Sequence, residues 1–141
     1  MTEIRESITL DVPAARAEQC VLEAFERYRT PAGDIEMPLA GAIMVRVHVS
    51  KRRDAQNLND EIALRWEPES GQMFPVFDGT LTLWNETPEK TNVELRGTYE
   101  PPLGAAGKLF DDAVGRAIAL QTARQFLLAL AEGAQTLYGL R

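Results

Sequence analysis

The chain has 141 residues, of which 45% are hydrophobic and 26% are charged, and its formal net charge is −6. This length predicts one domain over residues 1–141, and the composition excludes a disordered chain and a membrane-spanning one. The acidic balance argues against a nucleic-acid partner, because an acidic surface repels the phosphate backbone.

The scarcity of cysteine and histidine limits both the location and the chemistry of the protein. Cys20 is the only cysteine, so the chain forms no internal disulfide, which is typical of a reducing compartment. The first residues hold no apolar run of the kind that directs secretion. The sequence therefore predicts a cytoplasmic protein without integral membrane association. His48 is the only histidine, which excludes a site with several histidine ligands, and no metal or cofactor is predicted.

The chain opens with a strand pattern followed by a helix pattern. Apolar residues fall on alternate positions toward the end of residues 4–12, which predicts a half-buried strand. Pro13 suits the first turn of a helix because its missing N–H group costs nothing there, with Asp11 or Val12 near the cap position. The helix carries an apolar stripe as far as Tyr28.

The middle of the chain contains one ambiguous segment and one clear strand. Residues 34–41 fit either a loop or a short edge strand, because they include a proline and end on a glycine. Residues 43–49 alternate between valine or isoleucine and more polar residues, which predicts a strand. The three basic residues 51–53 are interpreted as a solvated turn, and the polar residues 54–60 continue it.

The second half of the chain predicts three strands and one long helix. Strand patterns cover residues 62–67, 74–84 and 93–99, with a turn at 87–90 between the last two. After that the period changes to 3.6 and predicts a helix over residues 107–138. At about 1.5 Å per residue this helix is long enough to cross a whole sheet.

The order of elements predicts the fold class. It reads strand, helix, four or five consecutive antiparallel strands, and a long helix, which indicates an α+β protein in two layers. Strands with one apolar face need a cover on that face only, so both helices are expected there. A curved antiparallel sheet wrapped around a long C-terminal helix tends to leave a space in which small molecules bind.

Two segments of the second half resemble a known family. The segments FDGTLTL at residues 77–83 and VELRGTYEPPLG at residues 93–104 enter the long helix as they do in the START-like, or SRPBCC, superfamily. The VPA of residues 12–14 is similar to the start of its members, including bacterial proteins described as polyketide cyclase/dehydrase or lipid-transport-like. Residues 30–60 depart from the pattern, since the family commonly has a short second helix there. The resemblance implies the helix-grip fold, and it leaves the function open because the superfamily hosts carriers, cyclases, hydrolases and chaperone regulators.

Several conspicuous residues are interpreted as structural. The glycines before Lys108 do not form a phosphate loop, because Pro102 replaces the first glycine and Leu109 replaces the hydroxyl residue. His48 alternates with the valines of its strand and is expected on the surface. Cys20 is expected to be a small buried residue of the first helix. The adjacent aspartates 111–112 suit a helix start and point too far apart to share a site.

The candidate site is the apolar face of the sheet together with the long helix. Strand alternation places Tyr99 and Trp66 on that face and directs Arg46, Arg65 and Arg96 outward. A tyrosine on an apolar face needs a partner for its hydroxyl, which is either a sheet edge or a bound molecule. The predicted lining of a cavity is Val45, Val47, Ile62, Leu64, Trp66, Phe77, Leu81, Leu95, Tyr99, Phe110, Val114, Ile118 and Phe126.

Three functions remain open on the sequence alone. The first is binding of an apolar small-molecule ligand, such as a lipid, an isoprenoid or a polyketide-like compound, in a cavity between sheet and helix. The second is an enzyme of the polyketide cyclase/aromatase type, for which no catalytic constellation is visible. The third is a protein-interaction module whose cavity is filled. The sequence does not predict the oligomeric state.

Overall fold

The structure is a computed structural model, and it describes residues 2–39, 43–52, 60–69, 76–100 and 113–139. Within these ranges the chain forms six strands and two helices in the predicted order. They are β1 (Thr2–Leu10), α1 (Ala14–Glu26), β2 (Ile35–Leu39), β3 (Ile43–Arg52), β4 (Asp60–Pro68), β5 (Val76–Thr87), β6 (Lys90–Glu100) and α2 (Ala113–Gly139).

The six strands form one antiparallel sheet in the order β1-β6-β5-β4-β3-β2. Five of them follow one another along the chain, and each pairs with the next. The first strand instead pairs with the last, with Thr2 opposite Tyr99 and Leu10 opposite Thr91. The ambiguous residues 34–41 contribute the edge strand β2. The α+β class predicted from the order of elements is confirmed.

Both helices pack on the apolar face of the sheet and against each other. Three polar contacts fix where they lie. The Thr91 hydroxyl is buried and donates to the Val12 carbonyl at 2.7 Å, which ties β6 to the start of α1. The backbone N–H of Asp11 donates to the Gln135 side chain at 2.9 Å, and Arg124 donates to Glu6 at 3.1 Å. The two contacts to α2 come from β1 and the turn that follows it, so α2 runs beside the β1 edge.

Two local predictions are corrected by the structure. Helix α1 begins at Ala14 with Pro13 as its N-cap, so neither Asp11 nor Val12 takes that position. Residues 51 and 52 belong to β3 and do not form a turn. The alternation of β3 continues through them, which puts Lys51 on the helix-covered face, where its ammonium group lies 2.5 Å from the Glu18 carboxylate of α1. The predicted turn at 54–60 is wrong at its last residue, because Asp60 begins β4. The rest of that turn and the predicted helix start at 107–112 lie outside the described residues.

A pair of glycines sets the closest approach of two strands. Gly79 of β5 lies directly opposite Gly97 of β6. A Cβ atom at Gly97 would sit 2.6 Å from the Gly79 Cα atom and would overlap the Asp78 carbonyl oxygen. It would also lie 2.7 Å from the tip of the Phe77 ring, which covers the glycine pair on the helix-facing side. The ring therefore fills the space that two missing side chains leave.

We expect Gly97→Ala to lower the free energy of unfolding by at least about 2 kcal/mol, because backbone atoms have to move to admit the methyl group. The matched control is Gly139→Ala, where an added Cβ meets no atom within 4 Å, and its effect should stay within about 0.5 kcal/mol. Urea unfolding followed by circular dichroism measures both. Equal stabilities for the two variants would show that the glycine pair is not close-packed.

A carboxylate pair lies at the β2 edge of the sheet. Partial burial raises the pKa of Glu36, and the neighbouring carboxylate of Glu69 raises it further, while Arg46 opposes both effects. The opposite case occurs at the end of α1, where hydrogen bonds from Arg29 lower the pKa of Glu26. The folded protein thus disfavours the ionised form of Glu36 and favours that of Glu26.

These two shifts predict opposite effects of pH on matched variants. A raised pKa in the folded state costs stability once pH exceeds that pKa, so Glu36→Gln should raise the melting temperature at about pH 7. A lowered pKa adds stability above the ordinary pKa, so Glu26→Gln should lower the melting temperature there. Both differences should shrink at about pH 3, where the carboxyl groups become protonated. A pH-independent difference for Glu36→Gln would contradict the assignment.

Candidate functional site

Three aromatic side chains lie side by side across the middle of the sheet. Trp66 of β4 is opposite Phe77 of β5, and Phe77 is opposite Tyr99 of β6. Residues opposite each other in an antiparallel sheet point to the same face, so all three rings lie under the helices. We call this set the aromatic row. Its members are at most 2% exposed.

The aromatic row contacts a ring of α2, which in turn contacts a ring of α1. Trp66 stacks on Phe77 with 4.4 Å between ring centroids and an angle of 23° between planes. It also contacts Phe126 of α2 at 5.1 Å, and Phe126 contacts Phe25 of α1 at 5.9 Å. These separations lie in the range of favourable aromatic pairs. The sheet and both helices are therefore joined through one aromatic cluster.

The Tyr99 hydroxyl is a polar group at the end of the aromatic row. The residue is 1% exposed, and its hydroxyl oxygen has no hydrogen-bond partner among the described residues. Leaving a buried hydroxyl unpaired costs about 1–3 kcal/mol, so such a group needs an explanation. A phenol both donates and accepts, and it would satisfy a carbonyl, ether or hydroxyl group placed beside it.

The structure brings the described members of the predicted cavity lining together in one core. Phe110 and the side chains of Val114 and Ile118 lie outside the described residues, so their part in a cavity stays a prediction. The other ten side chains are buried on the helix-facing side, with at most 3% exposure. They are Val45, Val47, Ile62, Leu64, Trp66, Phe77, Leu81, Leu95, Tyr99 and Phe126.

The outer face of the sheet holds His48 and several charged residues. His48 is exposed there, with its Nε2 atom 3.2 Å from a Glu67 carboxylate oxygen. Arg65 reaches Asp78 at 3.4 Å, and Arg96 reaches Glu3 at 3.3 Å. These cross-strand ion pairs agree with the predicted outward direction of the arginines and with a surface role for the histidine.

The described residues hold no group of three or more His, Cys, Asp or Glu side chains able to bind a metal ion. Cys20 is buried in α1, as the sequence predicts. The glycine-rich segment before Lys108 and the aspartates 111–112 lie outside the described residues. Within those residues, no helix is long and apolar enough to cross a membrane.

Sequence reasoning missed two features of this site. Phe25 belonged to the predicted apolar stripe of the first helix, but nothing in the periodicity showed that it reaches Phe126. The unpaired state of the Tyr99 hydroxyl depends on what every neighbouring strand and helix supplies. The one available signal was strand alternation, which predicted that the Tyr99 phenol lies on an apolar face.

Comparisons with known proteins were made for the sequence and for the fold. The sequence matches no protein-family model and no curated protein. Solved structures do match. TTHA0849 from Thermus thermophilus has 19% identity and a TM-score of 0.57, over 96% of this chain and 99% of that one. A START superfamily protein from Mycobacterium smegmatis has 14% identity and a TM-score of 0.54, over 96% and 98% of the two chains.

The chain has a START-like, helix-grip fold. A third structure of this fold is the Zhui aromatase/cyclase from a Streptomyces species, with 11% identity and a TM-score of 0.56 over 95% of this chain and 93% of that one. These matches span nearly the whole chain, and the described part of residues 30–60 contains β2 and β3. At such low identity the likeness concerns the fold alone.

Proposed function

We propose that this protein binds an apolar small molecule, such as a lipid, an isoprenoid or a polyketide-like compound, between the sheet and α2. The observation that carries the proposal is the buried Tyr99 hydroxyl, which lies in the apolar core and has no partner among the described residues. A ligand with one hydrogen-bonding group and an apolar body matches that combination.

The energetics of such a site divide into two parts. Removing apolar surface from water contributes about 25 cal/mol per Å² before the costs of association, and this part drives binding. The hydroxyl contributes less free energy but fixes the orientation of the ligand, since it is a polar group of the aromatic row that has no partner among the described residues. A fixed orientation distinguishes a specific binding site from a non-specific apolar one.

The aromatic cluster limits where the ligand lies. Trp66 is held between Phe77 and Phe126, so its contacts are already satisfied. Tyr99 stands at the other end of the row, one residue before the end of β6. A ligand beside Tyr99 would therefore border Phe77 and leave the contact between Trp66 and Phe126 in place.

A cyclase or aromatase activity is the second candidate. Two neighbours of the START-like fold are described as aromatase/cyclases. A buried phenol that donates to a ligand carbonyl polarises it, which favours attack by a nearby carbon nucleophile. Binding and orientation come first in both functions, so the same hydroxyl supports either, and turnover of a bound polyketide would distinguish them.

The test uses Nile red, a neutral dye that carries a carbonyl oxygen and whose emission shifts to the blue in apolar surroundings. The wild-type protein should bind it, and Tyr99→Phe should weaken binding about tenfold, the value of one hydrogen bond. Tyr99→Phe should unfold at the same or a higher temperature than wild type, because the substitution removes an unpaired buried hydroxyl.

The matched control is Tyr138→Phe, which removes a hydroxyl from a partly buried tyrosine near the end of α2. It should bind Nile red as wild type does. Failure of the wild-type protein to take up the dye would reject the proposal in favour of a filled interior. Unchanged affinity in Tyr99→Phe would show that the hydroxyl is not the polar contact.

A further inference from the structure

A groove of about 430 Å³ runs between the end of α1 and the second half of α2. Its floor is made of Ala24 and Gly133, which lie close together. A Cβ atom added at Gly133 would lie only 3.2 Å from the Ala24 Cβ atom. The helix groove, as we call it, is lined by Ala24, Arg27, Tyr28, Ala129, Glu132, Gly133 and Thr136.

Two opposite charges on the walls of the helix groove are unpaired. Arg27 caps α1 on one wall and Glu132 projects from α2 on the other. Both are exposed, and neither forms an ion pair within the described part of the chain. The next basic residue, Arg29, is by contrast held by Glu26 at 2.6 Å. A cation and an anion facing each other across one groove can be satisfied together by a second surface with the same two charges.

The exposed face of α2 beside the groove has few charges. The 27 residues of this helix include three charged ones, although a quarter of the whole chain is charged. Leu128 lies on this face with 59% of its surface exposed, and it is the one large hydrophobic side chain so exposed among the described residues. A shortage of charge around an exposed apolar side chain is typical of the core of a protein interface.

We propose that the helix groove and the exposed face of α2 form a symmetric interface with a second copy of this chain. A two-fold axis across the groove brings Arg27 to the partner subunit's Glu132 and Glu132 to the partner subunit's Arg27. Leu128 then packs near the small residues of the partner's groove. A two-fold interface has to be self-complementary, and one groove that holds both charges together with an apolar side chain beside it meets that condition.

The charge pairing gives a direct test by sedimentation. Wild-type protein should sediment at twice the mass of one chain. Arg27→Glu and Glu132→Arg should each weaken dimerisation by about 100-fold or more, because each reversal puts two like-charge contacts into the symmetric interface. An equimolar mixture of these two variants should form a heterodimer, because opposite charges then face each other at both contacts.

The matched control is Arg96→Glu, which reverses an exposed arginine on the outer face of the sheet and should leave the dimer intact. Circular dichroism should show all variants folded, since the reversed residues are exposed. A monomeric wild-type protein would overturn the proposal. A dimer that survives either groove reversal, or single variants that fail to associate when mixed, would also overturn it.

Discussion

Phe126 is the point at which the parts of this fold meet. Its ring contacts Trp66 of the sheet and Phe25 of α1, so a single side chain of α2 joins both layers. Deleting a buried phenylalanine typically costs 3–5 kcal/mol, a large part of the stability of a domain of this size. The position of α2 over the sheet depends in large part on this contact.

The two faces of the sheet differ in composition, because alternate residues of each strand point to opposite faces. The helix-facing side holds the buried apolar residues, while the outer side holds a ladder of cross-strand ion pairs that includes Arg5 with Glu94 and Arg65 with Asp78. Exposed pairs of this kind contribute little stability each. They keep the outer face hydrated and so help to fix the register, since a one-residue slip would bury charges.

Much of the fold could be predicted from the sequence, because periods of 2 and 3.6 are local signals. Alternation placed Trp66, Phe77 and Tyr99 on the inner face, where the structure has them. The pairing of β1 with β6 could not be predicted, since it joins residues nearly a hundred positions apart. Lys51 was misassigned for a related reason: three successive basic residues indicate a turn locally, but Glu18 of a distant helix stabilises one of them inside a strand.

At the candidate site, too, the local pattern predicted the direction of a side chain but not its hydrogen-bond partners. Strand alternation predicted that a phenol faces the interior, but only the packed structure shows that its hydroxyl finds no partner among the described residues. Stability alone would favour phenylalanine at this position, because an apolar ring would fill the same space without the cost of an unpaired hydroxyl. The proposed contact with a bound molecule would give this hydroxyl a partner.

The most direct test of that explanation is native mass spectrometry of the purified protein after incubation with a lipid extract of the cells that produce it. The account predicts a complex heavier than the bare chain, whose extra mass is released on denaturation as an apolar compound with a hydrogen-bonding group, and whose yield falls in Tyr99→Phe. A spectrum that shows only the bare chain would contradict the account and identify these residues as a filled core.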